Sequence, residues 1–151
     1  MTTQIIEVAV IPAPLERVWE VVQATHRYAE WVDVVREVTD HHGTAEVGKT
    51  YSEVNVVLGP LTTRSTWTVR EIEPMRRRVD TGTGFPLVHD LINTFLFQEV
   101  DAGTEMTYQV EYRFGLGRLG RLIDAVQQGG QRAAMRASMA NLAELLQAEG
   151  H

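Results

Sequence analysis

The 151 residues contain no cysteine. That absence excludes a disulfide framework, a thiol nucleophile and a cysteine-based metal site. Long hydrophobic runs are missing as well, and no stretch approaches the roughly 18 apolar residues of a membrane span. Met1 to Pro14 has no basic start and its apolar run contains Glu7, so no secretory leader is read there. Lysine is nearly absent: Lys49 stands alone among 14 basic residues. Acidic residues number 20 and the net charge is −6, which removes the basic face that nucleic-acid binding needs. The expectation is a cytoplasmic chain with no nucleic-acid partner and no integral membrane association. What is present looks globular, with 44% hydrophobic and 23% charged residues. The length suits one domain over residues 1–151, able to bury a core unaided.

Along the chain, Gln4 to Ile11 is rich in β-branched residues and reads as a strand, stopped by Pro12-Ala13-Pro14. A helix with Val18, Val22 and Trp19 or Leu15 on its apolar side follows, and His26 to Trp31 reads as a second short helix. Strands are then expected at Val34–Val38, Thr50–Leu58, Thr62–Ile72, Arg76–Thr81, Val88–Val100 and Thr104–Phe114. Asp40-His41-His42-Gly43, Gly59-Pro60, Glu73-Pro74, Gly82-Thr83-Gly84-Phe85-Pro86 and Asp101-Ala102-Gly103 punctuate them. The last strand alternates cleanly: Met106, Tyr108, Val110, Tyr112 and Phe114 against Glu105, Thr107, Gln109, Glu111 and Arg113. Period-two alternation with one polar face means a sheet covered on one side. Short turns between successive strands favour an antiparallel meander.

From Gly115 the pattern is helical to the end. Leu119, Leu122, Ile123 and Val126 precede Gly129-Gly130, and Met135, Met139, Leu142 and Leu146 follow it. On one ideal helix the two sets point in nearly opposite directions. A kink or short break at the glycine pair is therefore expected, bringing both sets onto the sheet. The alternative is a straight helix whose Ala133, Ala134, Ala137 and Ala140 pack close, with the Met face covered by a partner. This helix is the only element long enough to cover the apolar face of the sheet.

Taken in order, these segments resemble the START-like, or SRPBCC, superfamily, and more narrowly its polyketide cyclase/dehydrase and lipid-transport group. The residues that carry the resemblance are Ile11-Pro12-Ala13-Pro14 with Val18-Trp19; Tyr28-Ala29-Glu30-Trp31 with Val35 and Val38; Val47-Gly48 with Tyr51; Trp67-Thr68-Val69-Arg70-Glu71 with Glu73-Pro74; Gly103-Thr104 with Thr107-Tyr108; and Asn141-Leu142. The resemblance implies an α+β helix-grip fold: a curved antiparallel sheet of about seven strands around a long C-terminal helix, with two short helices after strand 1. It also implies a deep cavity between sheet and helix. It implies no single activity, and no catalytic motif of the superfamily is present to carry over.

Candidate site residues follow from which side chains face that cavity. The long sixth segment reads His89, Leu91, Asn93, Phe95, Phe97 on one side, and the superfamily points the position of Phe97 inward. His89 and Asn93 then enter the cavity beside Phe95, with Tyr108 and Tyr112 from the last strand. The opposite register, with Ile92, Thr94 and Leu96 inside, stays open, because a one-residue slip flips every side chain. Trp67 from the strand side, and Ile123, Met135 and Met139 from the helix, complete the expected ligand-binding set. His89 and Tyr108 are the catalytic candidates, for proton transfer and carbonyl polarisation.

Other motifs have plainer readings. Gly115-Leu116-Gly117-Arg118-Leu119-Gly120 matches G-x-G-x-x-G, but no parallel strand follows, so the glycines are read as a sharp turn into the helix. His41 and His42 read as a solvated turn rather than a metal pair, and no metal or cofactor is expected. Arg64 reads as a solvated edge residue, or else a guard at the cavity mouth. Arg76-Arg77-Arg78 reads as a solvated strand end, or else a contact for an anionic headgroup or partner. No two of the strand glutamates, Glu53 among them, form an acid/base pair by spacing.

Three functions stay in play: a carrier or binding protein for a small hydrophobic molecule such as a polyketide, an isoprenoid or a lipid; a cofactor-independent cyclase or dehydratase; and a protein-interaction module with a filled pocket. Both a monomer and a homodimer are compatible with the sequence.

Overall fold

The structure, a computed structural model, describes residues 2–150, and of Leu58 only the backbone. Strand β1 (Thr2–Ile11) is followed by helix α1 (Leu15–Gln23) and a short 3-10 helix (Thr25–Glu30). Strands β2 (Val35–Thr39), β3 (Thr50–Leu58), β4 (Leu61–Glu73), β5 (Arg77–Thr83), β6 (Val88–Val100) and β7 (Gly103–Phe114) come next, and α2 (Gly117–Glu149) closes the chain. The seven strands form one antiparallel sheet in the order β1-β7-β6-β5-β4-β3-β2. This is the helix-grip architecture: an open sheet curved around α2.

The curvature has visible causes. Register shifts interrupt β2/β3, β3/β4, β4/β5 and β6/β7. Each inserts an extra residue, bends its strand and increases the local twist. Strand β5 runs through Gly82-Thr83, where the sequence reads as a loop, because the Trp67 ring lies against Gly82. A Cβ at Gly82 would come within 2.7 Å of that ring, so glycine is the residue that allows the close approach.

Helix α2 is continuous through Gly129-Gly130, so the expected break is absent. Met135, Met139, Leu142 and Leu146 are buried against the sheet, whereas Leu119, Leu122, Ile123 and Val126 are exposed. The alternative reading also fails in part: the helix is uninterrupted, but its Met face lies on this chain's own sheet. The reason is polar. Asp124, 4% exposed, is the buried group in the N-terminal half, where it accepts hydrogen bonds from Tyr112 and, at 2.7 Å, from Thr3. Gln127 and Gln128 add bonds at 3.0 and 3.1 Å. A carboxylate so satisfied fixes which side of the helix turns inward, and the leucines are left on the other side. Gly120 completes the entry, since a Cβ there would meet the Gly115 carbonyl at 1.6 Å. Leu116 and Gly117, both at positive φ, make the sharp turn from β7.

The core joins the C-terminal half of α2 to α1 and the concave face of the sheet. Trp31, Phe95, Ile5, Ile11, Met106, Met139, Leu142, Val18 and Val22 are essentially inaccessible. Truncating Leu142, 0% exposed, to Ala removes about 2–5 kcal/mol of stability. Truncating Leu122, 65% exposed, changes it by less than about 0.5 kcal/mol. Urea unfolding of the two variants checks the orientation of α2; equal losses would mean that the Leu face is packed.

Candidate functional site

A cavity of about 750 Å³ lies between the sheet and α2, within the range of roughly 300–1,000 Å³ typical of small-molecule sites. It sits between the two places where α2 is clamped. Toward the helix N-terminus is the Asp124 cluster, and toward the C-terminus are Met139, Leu142 and Leu146. Between them, Gln131, Ala134, Met135 and Ser138 face the space. Its exposed lining residues are Asp33, Val57, Gly59, Val126, Gln127 and Gly130, which mark the mouth. Tyr28, Tyr51, Trp67, Leu91 and Phe95 are buried and form its inner surface.

Beneath that surface lies a buried ionic cluster. Arg78 on β5 points inward and is 0% exposed. Its guanidinium bonds Asp80 at 2.5 and 3.1 Å, the Val22 carbonyl at 2.9 Å, Gln23 at 3.2 Å, Tyr51 at 3.3 Å and the Tyr28 hydroxyl. It also stacks near the Tyr28 and Phe95 rings, 5.5 and 5.8 Å from their centroids. Asp80 takes a further bond from the Tyr51 hydroxyl at 2.5 Å. Burial works against the charge of Arg78, yet Tyr28, Asp80 and Tyr51 outweigh it and hold the group protonated. The reading of Arg76-Arg77-Arg78 as a solvated strand end is therefore corrected for Arg78, whose side chain alternates onto the inner face of the sheet.

Above this cluster a polar wall faces the cavity. The Glu53 carboxyl, 5% exposed, accepts hydrogen bonds on one oxygen from Trp67 Nε1 at 2.9 Å and Ser65 at 3.4 Å. Asn55, 1% exposed, donates to Ser65 Oγ at 2.7 Å. Asn55 Oδ1 has no partner among the described residues. Burial pushes the Glu53 carboxyl up to about 7 against the Trp67 and Ser65 bonds, which favour its ionised form. Tyr108, raised by burial and then by Glu53, stays a neutral donor.

Of the expected site residues, Asn93, Phe95, Tyr108, Tyr112, Trp67 and Met135 line the cavity. Met139 is buried in the core behind it, and Ile123 is exposed on the outer side of α2. His89 is also exposed and lies outside the lining. The cause is a bulge: His89 pairs with Arg113 but Ile92 pairs with Glu111, so β6 carries one extra residue there. Asp90, at φ +52°, absorbs it. Leu91, Asn93, Phe95 and Phe97 keep the inward phase, and His89 falls out of it. Arg64 is an exposed residue bonded to Asp40 at 2.6 Å. Sequence reasoning missed Glu53 and Asn55 as cavity residues. Their phase with Tyr51 was available as a signal, but the alternate positions of β3, Val54 and Val56, are the more apolar ones.

The sequence matches the family described as Polyketide cyclase / dehydrase and lipid transport over residues 2–147. The chain belongs to that family. Among solved structures, TTHA0849 from Thermus thermophilus is similar, with a TM-score of 0.79 at 17% identity, covering 100% of both chains. The Zhui aromatase/cyclase from Streptomyces sp. R1128 gives a TM-score of 0.79 at 13% identity, covering 100% of this chain and 97% of that one. Ara h 8.0201 gives 0.69 at 11% identity, covering 95% and 99%. At such identities the likeness speaks for the fold. No curated protein matches the sequence.

The Glu53 carboxyl sets a pH dependence. Its pKa rises on folding, so the folded state holds a proton that the unfolded chain has already released. Stability then falls as pH climbs from about 4.5 to about 7. Of the groups that surround it, Asp80 is paired with Arg78, and burial and neighbouring charges hold Arg78, Tyr28, Tyr51 and Tyr108 protonated across that window. Glu53→Gln keeps an acceptor for Trp67 and removes the titration. Relative to this variant, the wild type should lose about 3 kcal/mol between pH 4.5 and 8. Parallel stability–pH curves for the two proteins would contradict the assignment.

Proposed function

We propose that this protein binds a small hydrophobic molecule in the cavity between the sheet and α2, as a carrier or binding protein. The observation that carries this reading is the cavity itself. It is open at one side, mainly apolar, and has a few polar groups on its wall. Phe95, Trp67, Leu91, Val110 and Met135 supply apolar contact, and Asn93, Tyr108 and Glu53 supply polar contact. The family description, which names lipid transport beside cyclase and dehydrase activity, supports the same class of ligand.

A cyclase or dehydratase is the second reading, and one observation favours it. Glu53 is a buried carboxyl poised near neutral pH in a cavity that also holds the Tyr108 hydroxyl. Such a pair is chemically suited to proton transfer next to a carbonyl. The exposed His89 is not placed for this role, so Glu53 and Tyr108 are the residues to which the chemistry would fall. The interaction-module reading rests on a filled pocket, and the open cavity weighs against it.

Native and denaturing mass spectrometry of freshly purified protein tests the carrier reading. The expected result is a small-molecule adduct that leaves on denaturation, or uptake of Nile red by the bare protein. Ala134→Phe places a ring in the cavity from α2 and should weaken dye binding about tenfold or more. Bare protein that ignores the dye, or a variant that binds it as well as the wild type, would contradict the cavity as the binding site.

A further inference from the structure

The outward face of α2 beside the cavity mouth carries an inference that goes beyond the binding reading above. Leu119, Leu122, Ile123 and Val126 are between 41 and 78% exposed. They recur at i, i+3, i+4 and i+7, which makes one apolar stripe along about two turns of helix. Asp124, bonded to Tyr112 and Thr3, turns the other side of these turns inward and leaves the stripe to solvent. We infer that this face docks on an anionic lipid surface, so that the cavity mouth comes to lie against the lipid.

Charge selects the partner. Between Gly115 and Gly130 the charged residues are Arg118, Arg121 and Asp124. Asp124 is buried, and its carboxylate is taken up by Tyr112, Thr3, Gln127 and Gln128. Arg118 and Arg121 are exposed and make no ion pair among the described residues. The exposed charge of this segment is therefore wholly positive, on a chain whose net charge is −6. An apolar stripe beside unpaired arginines is the pattern of a helix that lies in the interface of an anionic bilayer. A second copy of the chain fits worse. Two such faces would each bring arginines, and neither has a free acid to answer them.

Position links the stripe to the cavity. Val126 on α2 and Val57 on β3 are both exposed and both line the mouth. Leu61, at the start of β4, is 62% exposed. Leu87 is exposed too, and its carbonyl accepts a bond at 2.8 Å from the Gly115 N–H, where the chain turns into α2. Apolar side chains thus border the opening from the helix and from two loops. Asp33 is the acid among the exposed lining residues, so the attraction to anionic lipid comes from the helix. A hydrophobic molecule that passed between bilayer and cavity at this face would stay out of water. The contact is peripheral, since no helix among the described residues is long and apolar enough to cross a membrane.

The test is co-sedimentation of the full chain with two kinds of vesicle, phosphatidylcholine alone and an equimolar mixture with phosphatidylglycerol. The wild type is expected to bind the anionic vesicles about tenfold tighter than the neutral ones, and less tightly as salt is raised. Arg118→Gln/Arg121→Gln should bring the two affinities within about threefold. Leu119→Gln/Leu122→Gln, at exposed positions, should weaken binding to the anionic vesicles about tenfold while leaving the urea midpoint and Nile red uptake without vesicles unchanged. Failure of the wild type to prefer anionic vesicles, or variants that sediment as it does, would overturn the docking face. A dimer in gel filtration that Leu119→Gln/Leu122→Gln dissolves would overturn it as well, by giving the stripe to a second copy. The cavity reading is judged separately, by dye uptake in the absence of vesicles.

Discussion

The structure depends on a buried arginine. Arg78 reaches the end of α1 through Val22 and Gln23, the 3-10 helix through Tyr28, β3 through Tyr51, and its own strand through Asp80. One side chain thus joins both short helices to the sheet. Burying a guanidinium is costly, and only near-complete hydrogen bonding with a paired carboxylate offsets that cost. The consequence for function is indirect. The Tyr28 and Tyr51 hydroxyls lie on the inner surface of the cavity but are committed to the cluster. The Glu53, Asn93 and Tyr108 side chains also line the cavity and lie outside that cluster.

The cavity itself follows from how α2 is held. Apolar packing fixes its C-terminal half through Met139, Leu142 and Leu146. A carboxylate, Asp124, fixes its N-terminal half to Tyr112 and Thr3. Between the two anchors the helix presents Gly130, Gln131, Ala134 and Ser138 to the sheet side, short or polar residues that leave space unfilled. The four bulged strand pairs curve the sheet around that space. Trp67, laid flat against Gly82, brings its indole N–H to Glu53 and so ties wall to floor.

Much of the fold was legible because its signals are periodic. The alternation of Met106 to Phe114 gave one covered face, the short turns gave the meander, and the long amphipathic tail gave the helix. The candidate site was legible only where the inner face is also the apolar face, as on β6 from Leu91 to Phe97. On β3 and β5 the inner residues are Glu53, Asn55, Arg78 and Asp80, and hydropathy points to the other side. His89 escaped because a single bulge shifts the phase of a strand, and nothing in the local residue types marks it. The glycine pair misled for a related reason. The opposed apolar sets on α2 called for a break, whereas a polar anchor, Asp124, settled the matter by turning one set outward.

The central claim is that the Arg78–Asp80 cluster holds the inner surface of the cavity in place. Equilibrium unfolding of Arg78→Met, compared with the double variant Arg78→Met/Asp80→Leu, tests it most directly. The single change should cost about 3–5 kcal/mol, because it strands the Asp80 carboxylate. The double change should cost less than the single one, because no charge is then left buried without a partner. A single variant that loses less than about 1 kcal/mol, or a double variant less stable than the single, would contradict the account.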